Sequence, residues 1–323
     1  MHVADYDVLM LAEGGDGVAS AIEKRASVHR LWQESDPERA IDALGPDIRA
    51  IAGGSHSRRI DAALMQRLPK LEIIASFGVG YDHIDAAWAG QHGIIVAHTP
   101  GVLDDEVADI AMALTLNCLR ELPRAEHYLR DGKWLKAPYP LTASLRGRTM
   151  GILGLGRIGK AIATRAQAFG VDVVYHGRKP QDGAPYLYYP TLKGMAEACD
   201  ILMVAAPGGG ATQRIVNREI LEALGPNGII VNISRGSLID EEALIEALRT
   251  KTILGAGLDV FANEPHVPAA LLALDNAVLL PHVGSASHHT RGAMGQLVVD
   301  NLFSWIDGKG PLTPVPETPW KKA

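Results

Sequence analysis

Cysteine is nearly absent. Only Cys118 and Cys199 occur in 323 residues, far apart and in apolar surroundings, so neither a disulfide framework nor a cysteine-based metal site organises the chain. Aromatic residues make up 5%, and 31 Lys and Arg face 37 Asp and Glu, leaving no basic stripe interleaved with rings. Nucleic acid is excluded as an expected partner. No apolar run approaches membrane-spanning length, and the opening residues, Met1 to Asp7, lack the charged-then-apolar order of a secretory leader. The expectation is a soluble, cytoplasmic protein with no membrane partner and no metal. Low complexity is limited to Gly208–Gly210 and a Pro-rich tail from Pro311 to Pro319.

Glycine, by contrast, is plentiful, and Gly151, Gly154, Gly156 and Gly159 fall within the run that ends at Lys160. A strand pattern, Thr149 to Leu155, leads into it, a helix pattern, Lys160 to Phe169, leaves it, and a second strand, Val171 to Gly177, closes a βαβ unit. This is the pattern of a dinucleotide-phosphate grip. Gly154 permits the tight turn, Gly156 lets backbone approach a pyrophosphate, Gly159 lets helix and strand pack closely, and the helix N-terminus offers free N–H groups. A ribose 2′-hydroxyl would call for an acidic residue at the end of the second strand. Tyr175, His176, Gly177, Arg178 and Lys179 stand there instead. With no carboxylate to repel a 2′-phosphate, and with Arg178 able to fork onto it beside the point charge of Lys179, NADP(H) is expected in preference to NAD(H). A merely solvated basic turn is the alternative.

A chain of this length is long for one domain. Strand patterns at Asp7 to Leu11, Val28 to Trp32, Ile48 to Ala52, Leu71 to Phe77 and Gly93 to Thr99 alternate with helical ones such as Ile60 to Leu68 and Ile84 to His92. An apolar helix, Leu103 to Leu119, precedes the glycine run, and a second strand series follows near 149–155, 171–177, 200–206, 228–234, 253–260 and 277–283. The prediction is an α/β protein of two Rossmann-like or flavodoxin-like domains, each with a parallel sheet flanked by helices. Residues 1–101 with 286–323 would form the substrate domain and 102–285 the dinucleotide-binding domain, the helix near Ser287 to Asp307 returning to the first.

Ligands of such sheets bind beyond the carboxyl ends of the strands. Arg235 follows the strand ending at Ser234, Asp259 ends the next with Glu264 just beyond, and His282 follows Leu280. A guanidinium, carboxylates and an imidazole are the parts needed to reduce a 2-keto acid: a cation for its carboxylate, a proton donor for its ketone oxygen, and an anion that keeps the donor protonated. Taken singly, each also fits an ordinary role as a loop residue, a carbonyl cap or a surface acid. His56, His288 and His289 have no comparable setting.

The runs Gly154 to Gly159, Asn232 to Gly236, Gly257 to Pro265 and Leu280 to Ala286, with Ser76 to Asp85 and Thr99 to Leu103, together resemble the D-2-hydroxyacid dehydrogenase family, most closely its glyoxylate/hydroxypyruvate reductases. The resemblance spans nearly the whole chain and implies an active site in an interdomain cleft. His282 would be the general acid, Glu264 its partner, and Arg235 the group that binds carboxylate and polarises the carbonyl. Cofactor contacts would come from Gly154, Leu155, Gly156, Arg157, Ile158, Gly159, His176, Gly177, Arg178, Lys179, Pro207, Ile233, Asp259 and Gly284, with Asp259 on the nicotinamide amide. Gly54, Ser55 and the N–H groups of Val79 and Gly80 would join Arg235 and His282 on the substrate. Gly53 and Gly54 suit a short acid such as glyoxylate or hydroxypyruvate; an ordinary flexible loop is the competing explanation. A homodimer is implied too, with Trp134 reaching toward the partner, and the Leu103 to Leu119 helix needs burial in a partner or within the chain. Two alternatives stay open: a dehydrogenase for another 2-keto acid, or a dinucleotide-sensing binding protein like the C-terminal-binding-protein corepressors.

Overall fold

The computed structural model describes residues 6–13, 15, 17–54 and 58–320, and the chain divides into two units, 1–103 with 287–323 and 104–286. In the first, the elements run β1 (Asp7–Met10), α1 (Val18–Ile22), β2 (Ser27–Arg30), α2 (Pro37–Leu44), β3 (Ile48–Ala52), α3 (Ala62–Gln66), β4 (Ile73–Ala75), α4 (Ala86–Gln91) and β5 (Ile95–Ala97). The second contains α5 (Asp104–Arg120), α6 (Leu122–Arg130), β6 (Thr149–Leu153), α7 (Arg157–Ala168), β7 (Asp172–His176), β8 (Leu187–Tyr189), α8 (Leu192–Glu197), β9 (Ile201–Val204), α9 (Arg218–Leu224), β10 (Ile229–Asn232), α10 (Glu241–Arg249), β11 (Gly255–Leu258), α11 (Ala269–Leu272) and β12 (Ala277–Leu279). The last helix, α12 (His288–Ile306), belongs to the first unit.

Both sheets are parallel, as their short apolar strands require. Strands β9 and β10 are buried along their whole length, the condition of a strand covered by helices on both faces. Among the described residues the first sheet has the order β2-β1-β3-β4-β5 and the second β12-β11-β10-β9-β6-β7-β8. Each order reverses once, between β1 and β3 and between β6 and β9. A crevice opens at such a point, beyond the strands' carboxyl ends. Helix starts are set by side-chain oxygens of Asp36, Asp61, Asp85, Thr191, Asn217, Asp240 and Ser287, each accepting a backbone N–H of the first turn. Such caps contribute about 1 kcal/mol apiece.

One element departs from the sequence expectation and another settles an open alternative. Strand β8 was not expected, because Leu187, Tyr188 and Tyr189 sit at the sheet edge with no fully buried residue and so lack the apolar run that marks a central strand. The other concerns α5, which covers its own apolar face. Val107, Ala108, Ala111, Met112, Leu114, Thr115 and Leu119 are buried where it packs on α7, β10 and β11. Gly257 permits the approach, since a Cβ there would come within 3.0 Å of Cys118 Sγ and of Leu114 Cβ. Burial of α5 therefore gives no reason for a partner. Cys199 lies just past the end of α8 and is buried.

Candidate active site

The glycine turn sits at the reversal point of the second sheet. Gly154 follows β6 with φ +97°, and a Cβ there would lie 2.6 Å from Ala206 Cα, so only glycine lets the loops after β6 and β9 meet. Gly159 faces the carbonyl of Gly154 and the Ile152 side chain with no room for a Cβ, which seats α7 on β6. Around Gly156, by contrast, a Cβ would meet nothing within 4 Å, and Gly156 caps α7 without a side-chain hydrogen bond. The helix thus presents open N–H groups to solvent-accessible space, which fits a pyrophosphate. Gly156 and Arg157 are exposed, Ile158 is half-buried, and Leu155 is buried. Gln181, a residue the sequence reading passed over, donates through Nε2 to the Leu155 carbonyl at 2.7 Å, while its own N–H donates to the Tyr175 hydroxyl at 2.8 Å.

At the end of β7, His176 Nδ1 lies 2.8 Å from the Tyr189 carbonyl and is its donor, and Tyr188 donates to the Gly177 carbonyl at 3.2 Å. The unexpected β8 therefore fixes the strand end that carries Arg178 and Lys179. Both are exposed, and neither enters an ion pair or side-chain hydrogen bond among the described residues. Pro207 is exposed after β9, and Ile233 is buried after β10.

Three neighbouring strands supply the ionisable groups. Buried Asn232 ends β10; its Oδ1 accepts the Ser234 N–H at 3.0 Å and its Nδ2 donates to the Arg235 carbonyl at 2.9 Å, so an amide staples the turn that carries Arg235. Arg235 is half-buried and donates from Nη1 to the Ser234 carbonyl at 2.8 Å. Gly236 lies directly on the backbone of Phe261 and Ala262, with no space for a Cβ. That contact brings the Arg235 turn against the segment leading to Glu264. It was invisible in the sequence, where Gly236 is one glycine among many.

Glu264 accepts the Phe261 N–H through Oε1 at 3.0 Å and meets His282 Nδ1 through Oε2 at 2.7 Å. Facing a carboxylate, Nδ1 carries a proton, so Nε2 is the nitrogen left to give or take one. His282 itself has φ +54°, a conformation uncommon outside glycine. Asp259 imposes it. Its carbonyl accepts the His282 N–H at 2.9 Å, and its carboxylate accepts the N–H groups of Val283 and Gly284, each at 2.7 Å. A Cβ on Gly284 would come within 2.9 Å of Asp259 Oδ2, so this clasp needs glycine. Burial raises the Asp259 carboxyl above its ordinary value, opposed by the two N–H donors and by His282. Both carboxylate oxygens are thus engaged within the fold, which places Asp259 under the histidine turn; the nicotinamide amide assigned to it by resemblance would have to share them.

On the first unit, Gly54 follows β3 and is half-buried, a Cβ there falling 3.3 Å from His83 Nε2 and 3.5 Å from Ser76 Oγ. Val79 and Gly80 lie half-buried in the turn after β4. Ser55 lies outside the described residues. Trp134 is in a short 3₁₀ turn, 65% exposed.

Comparison with known proteins accords with these features. The family model "D-isomer specific 2-hydroxyacid dehydrogenase, NAD binding domain" matches residues 112–284. Glyoxylate/hydroxypyruvate reductase A of Arabidopsis thaliana is 44% identical over 308 residues, covering 95% of this chain and 98% of the plant protein. A hydroxyphenylpyruvate reductase of Plectranthus scutellarioides is 42% identical over the same share of both chains. Among solved structures, an NADPH-dependent glyoxylate/hydroxypyruvate reductase of Sinorhizobium meliloti, in complex with NADP and malonate, superposes with a TM-score of 0.91 at 46% identity, covering 99% of each chain. The chain belongs to the D-isomer-specific 2-hydroxyacid dehydrogenases.

Proposed function

We propose that this protein is an NADPH-dependent reductase of small 2-keto acids, converting glyoxylate to glycolate and hydroxypyruvate to D-glycerate. The observation that carries the reading is the 2.7 Å contact of His282 Nδ1 with Glu264 Oε2, on a turn clasped by Asp259 and next to the Arg235 turn. Relatives named for this activity along nearly the full chain support it.

In this reading Arg235 holds the substrate carboxylate and polarises the neighbouring carbonyl, joined by the N–H groups of Val79 and Gly80 and by Gly54. NADPH, when bound, supplies the hydride. As negative charge builds on the keto oxygen, His282 delivers the proton from Nε2, while Glu264 accepts the Nδ1–H and holds the ring in place. The dinucleotide would be held by the Gly154 to Gly159 turn and the start of α7, with His176, Gly177, Pro207, Ile233, Asp259 and Gly284 lining its path. Arg178 and Lys179 would take the 2′-phosphate, which supports NADP(H) over NAD(H). A homodimer is part of the proposal. It is supported by α6, which has no buried residue, and by exposed Leu129, Trp134, Leu135 and Leu141 around it.

The test is NADPH oxidation, followed by absorbance, across a panel of 2-keto acids with NADH in parallel. Fast turnover of glyoxylate and hydroxypyruvate with NADPH well ahead of NADH is the expected result. Turnover confined to larger acids would overturn the substrate assignment and keep the chemistry. Dinucleotide binding without turnover would overturn the enzyme and leave a nucleotide-sensing binding protein.

A further inference from the structure

The carboxylate grip assigned to Val79 and Gly80 is made of backbone, and backbone can aim an N–H only if the peptide plane is held. Within the first unit both planes are held from behind by the two residues that follow β5. Thr99 N–H donates to the Gly78 carbonyl at 2.9 Å, and the Thr99 hydroxyl oxygen accepts the Gly78 N–H at 3.0 Å. His98 Nδ1 lies 2.9 Å from the Val79 carbonyl and, facing an acceptor, is the donor. A trans peptide points its C=O and N–H in opposite directions. The Gly78–Val79 and Val79–Gly80 peptides, with carbonyls turned toward the end of β5, therefore aim the Val79 and Gly80 N–H groups away from it. Neither of those two N–H groups donates to a backbone or side-chain acceptor among the described residues. Gly78, at φ +146°, supplies the backbone conformation that lets the chain reverse here.

His98 is itself anchored. Its N–H donates to the Thr313 carbonyl at 3.1 Å, and Thr313 Oγ1 donates to the His98 carbonyl at 2.5 Å. Buried Asn301 of α12 accepts the Leu312 and Thr313 N–H groups at 2.9 and 3.0 Å, and Pro314 bridges Ala97. The Pro-rich tail thus covers the exposed edge of β5 and seats the histidine. The Tyr81 ring meets the His98 ring edge to face at 5.5 Å.

From this geometry we propose that His98 is a positioning residue for substrate. Its Nδ1–H, bonded to the Val79 carbonyl, sets the plane of the Val79–Gly80 peptide and strengthens the Gly80 N–H as a donor, since hydrogen bonds at the two ends of a peptide polarise one another. The proposal rests on the reading of Val79 and Gly80 as the carboxylate grip. It sets the KM for 2-keto acids and leaves hydride and proton transfer to the second unit.

The experiment compares full-length wild type, His98→Asn and His98→Leu with glyoxylate at saturating NADPH. Asn is informative because its Nδ2 stands at the same bond distance from Cβ as the histidine Nδ1, and can donate to the same carbonyl. His98→Leu is expected to raise the glyoxylate KM about fivefold to tenfold with kcat within about twofold, the loss expected of one hydrogen bond behind a binding group. His98→Asn should fall near wild type, and the KM for NADPH should be the same in all three. An unchanged glyoxylate KM in His98→Leu, or an equal rise in His98→Asn, overturns the proposal while leaving an active wild type and the functional reading intact. A wild type that reduces no 2-keto acid overturns both. Should His98→Leu fail to fold, as judged by its melting transition, the smaller His98→Ala carries the same expectation and the same refutation.

Discussion

The two parallel sheets end in different materials. The second places ionisable side chains beyond β10, β11 and β12: Arg235, Glu264 and His282, each tied to a neighbour by its side chain or its turn. The first ends in backbone, with Gly54 after β3 and the Val79 and Gly80 amides after β4, shaped by Thr99 and His98 behind them. Chemistry that moves a proton needs a group that titrates, and a side chain supplies it. Holding an anion needs only oriented dipoles, which peptide groups supply at less conformational entropy.

The largest effect in breaking this comparison is expected from the proposed proton donor, His282. His282→Asn should lower kcat by about 10²- to 10⁴-fold, the usual worth of a general acid, with NADPH binding intact by fluorescence titration. Next is the clasp. Asp259→Asn puts an amide NH₂ where two N–H groups converge, so one bond is lost and the His282 turn loosens; kcat should fall roughly 10- to 100-fold, since removing a bond to a charged group costs about 1.5–3 kcal/mol. The same variant has a pH signature. Because the folded Asp259 is raised above its ordinary 3.8, its contribution to stability is present below that value and is lost as pH rises through the folded value. Denaturant melts from acid to neutral pH should show wild type losing stability relative to Asp259→Asn as pH rises.

A smaller effect is expected at the exposed rim of the second unit. Arg178→Ala should raise the KM for NADPH about tenfold and leave that for NADH nearly unchanged, as suits one charge-assisted contact in water. Equal effects on both cofactors would count against the 2′-phosphate assignment. The smallest change is expected at Glu264. Glu264→Gln keeps the shape of the side chain but replaces the anion that meets His282 Nδ1 at 2.7 Å with a neutral amide, and should lower kcat about threefold to fivefold. An unchanged kcat would take Glu264 out of the mechanism.

Much of this organisation was legible beforehand, for identifiable reasons. The parallel sheets announced themselves through short apolar runs, the glycine turn through glycines between a strand and a helix, and the ionisable groups beyond β10, β11 and β12 through their residue types at strand ends. Strand β8 escaped because an edge strand with partly exposed tyrosines carries no such run. Gly236 and Gly284 escaped as clasps because what makes each indispensable is a backbone or carboxylate from a segment more than twenty residues away. Gln181 and Asn232 act through amides that bond to backbone carbonyls, and nothing in their local sequence marks them for it.

The sequence by itself determined which strands form, where the chain turns, and which groups can donate a proton or bear a charge, because those follow from local pattern and residue chemistry. Only the tertiary structure decided that Asp259 spends both carboxylate oxygens on the turn after β12, that α5 buries its face within its own unit, and that His98 stands behind Val79. A hydrogen bond or a close approach depends on which distant segments the folded sheet makes neighbours, and that adjacency is set by strand order, not by spacing along the chain.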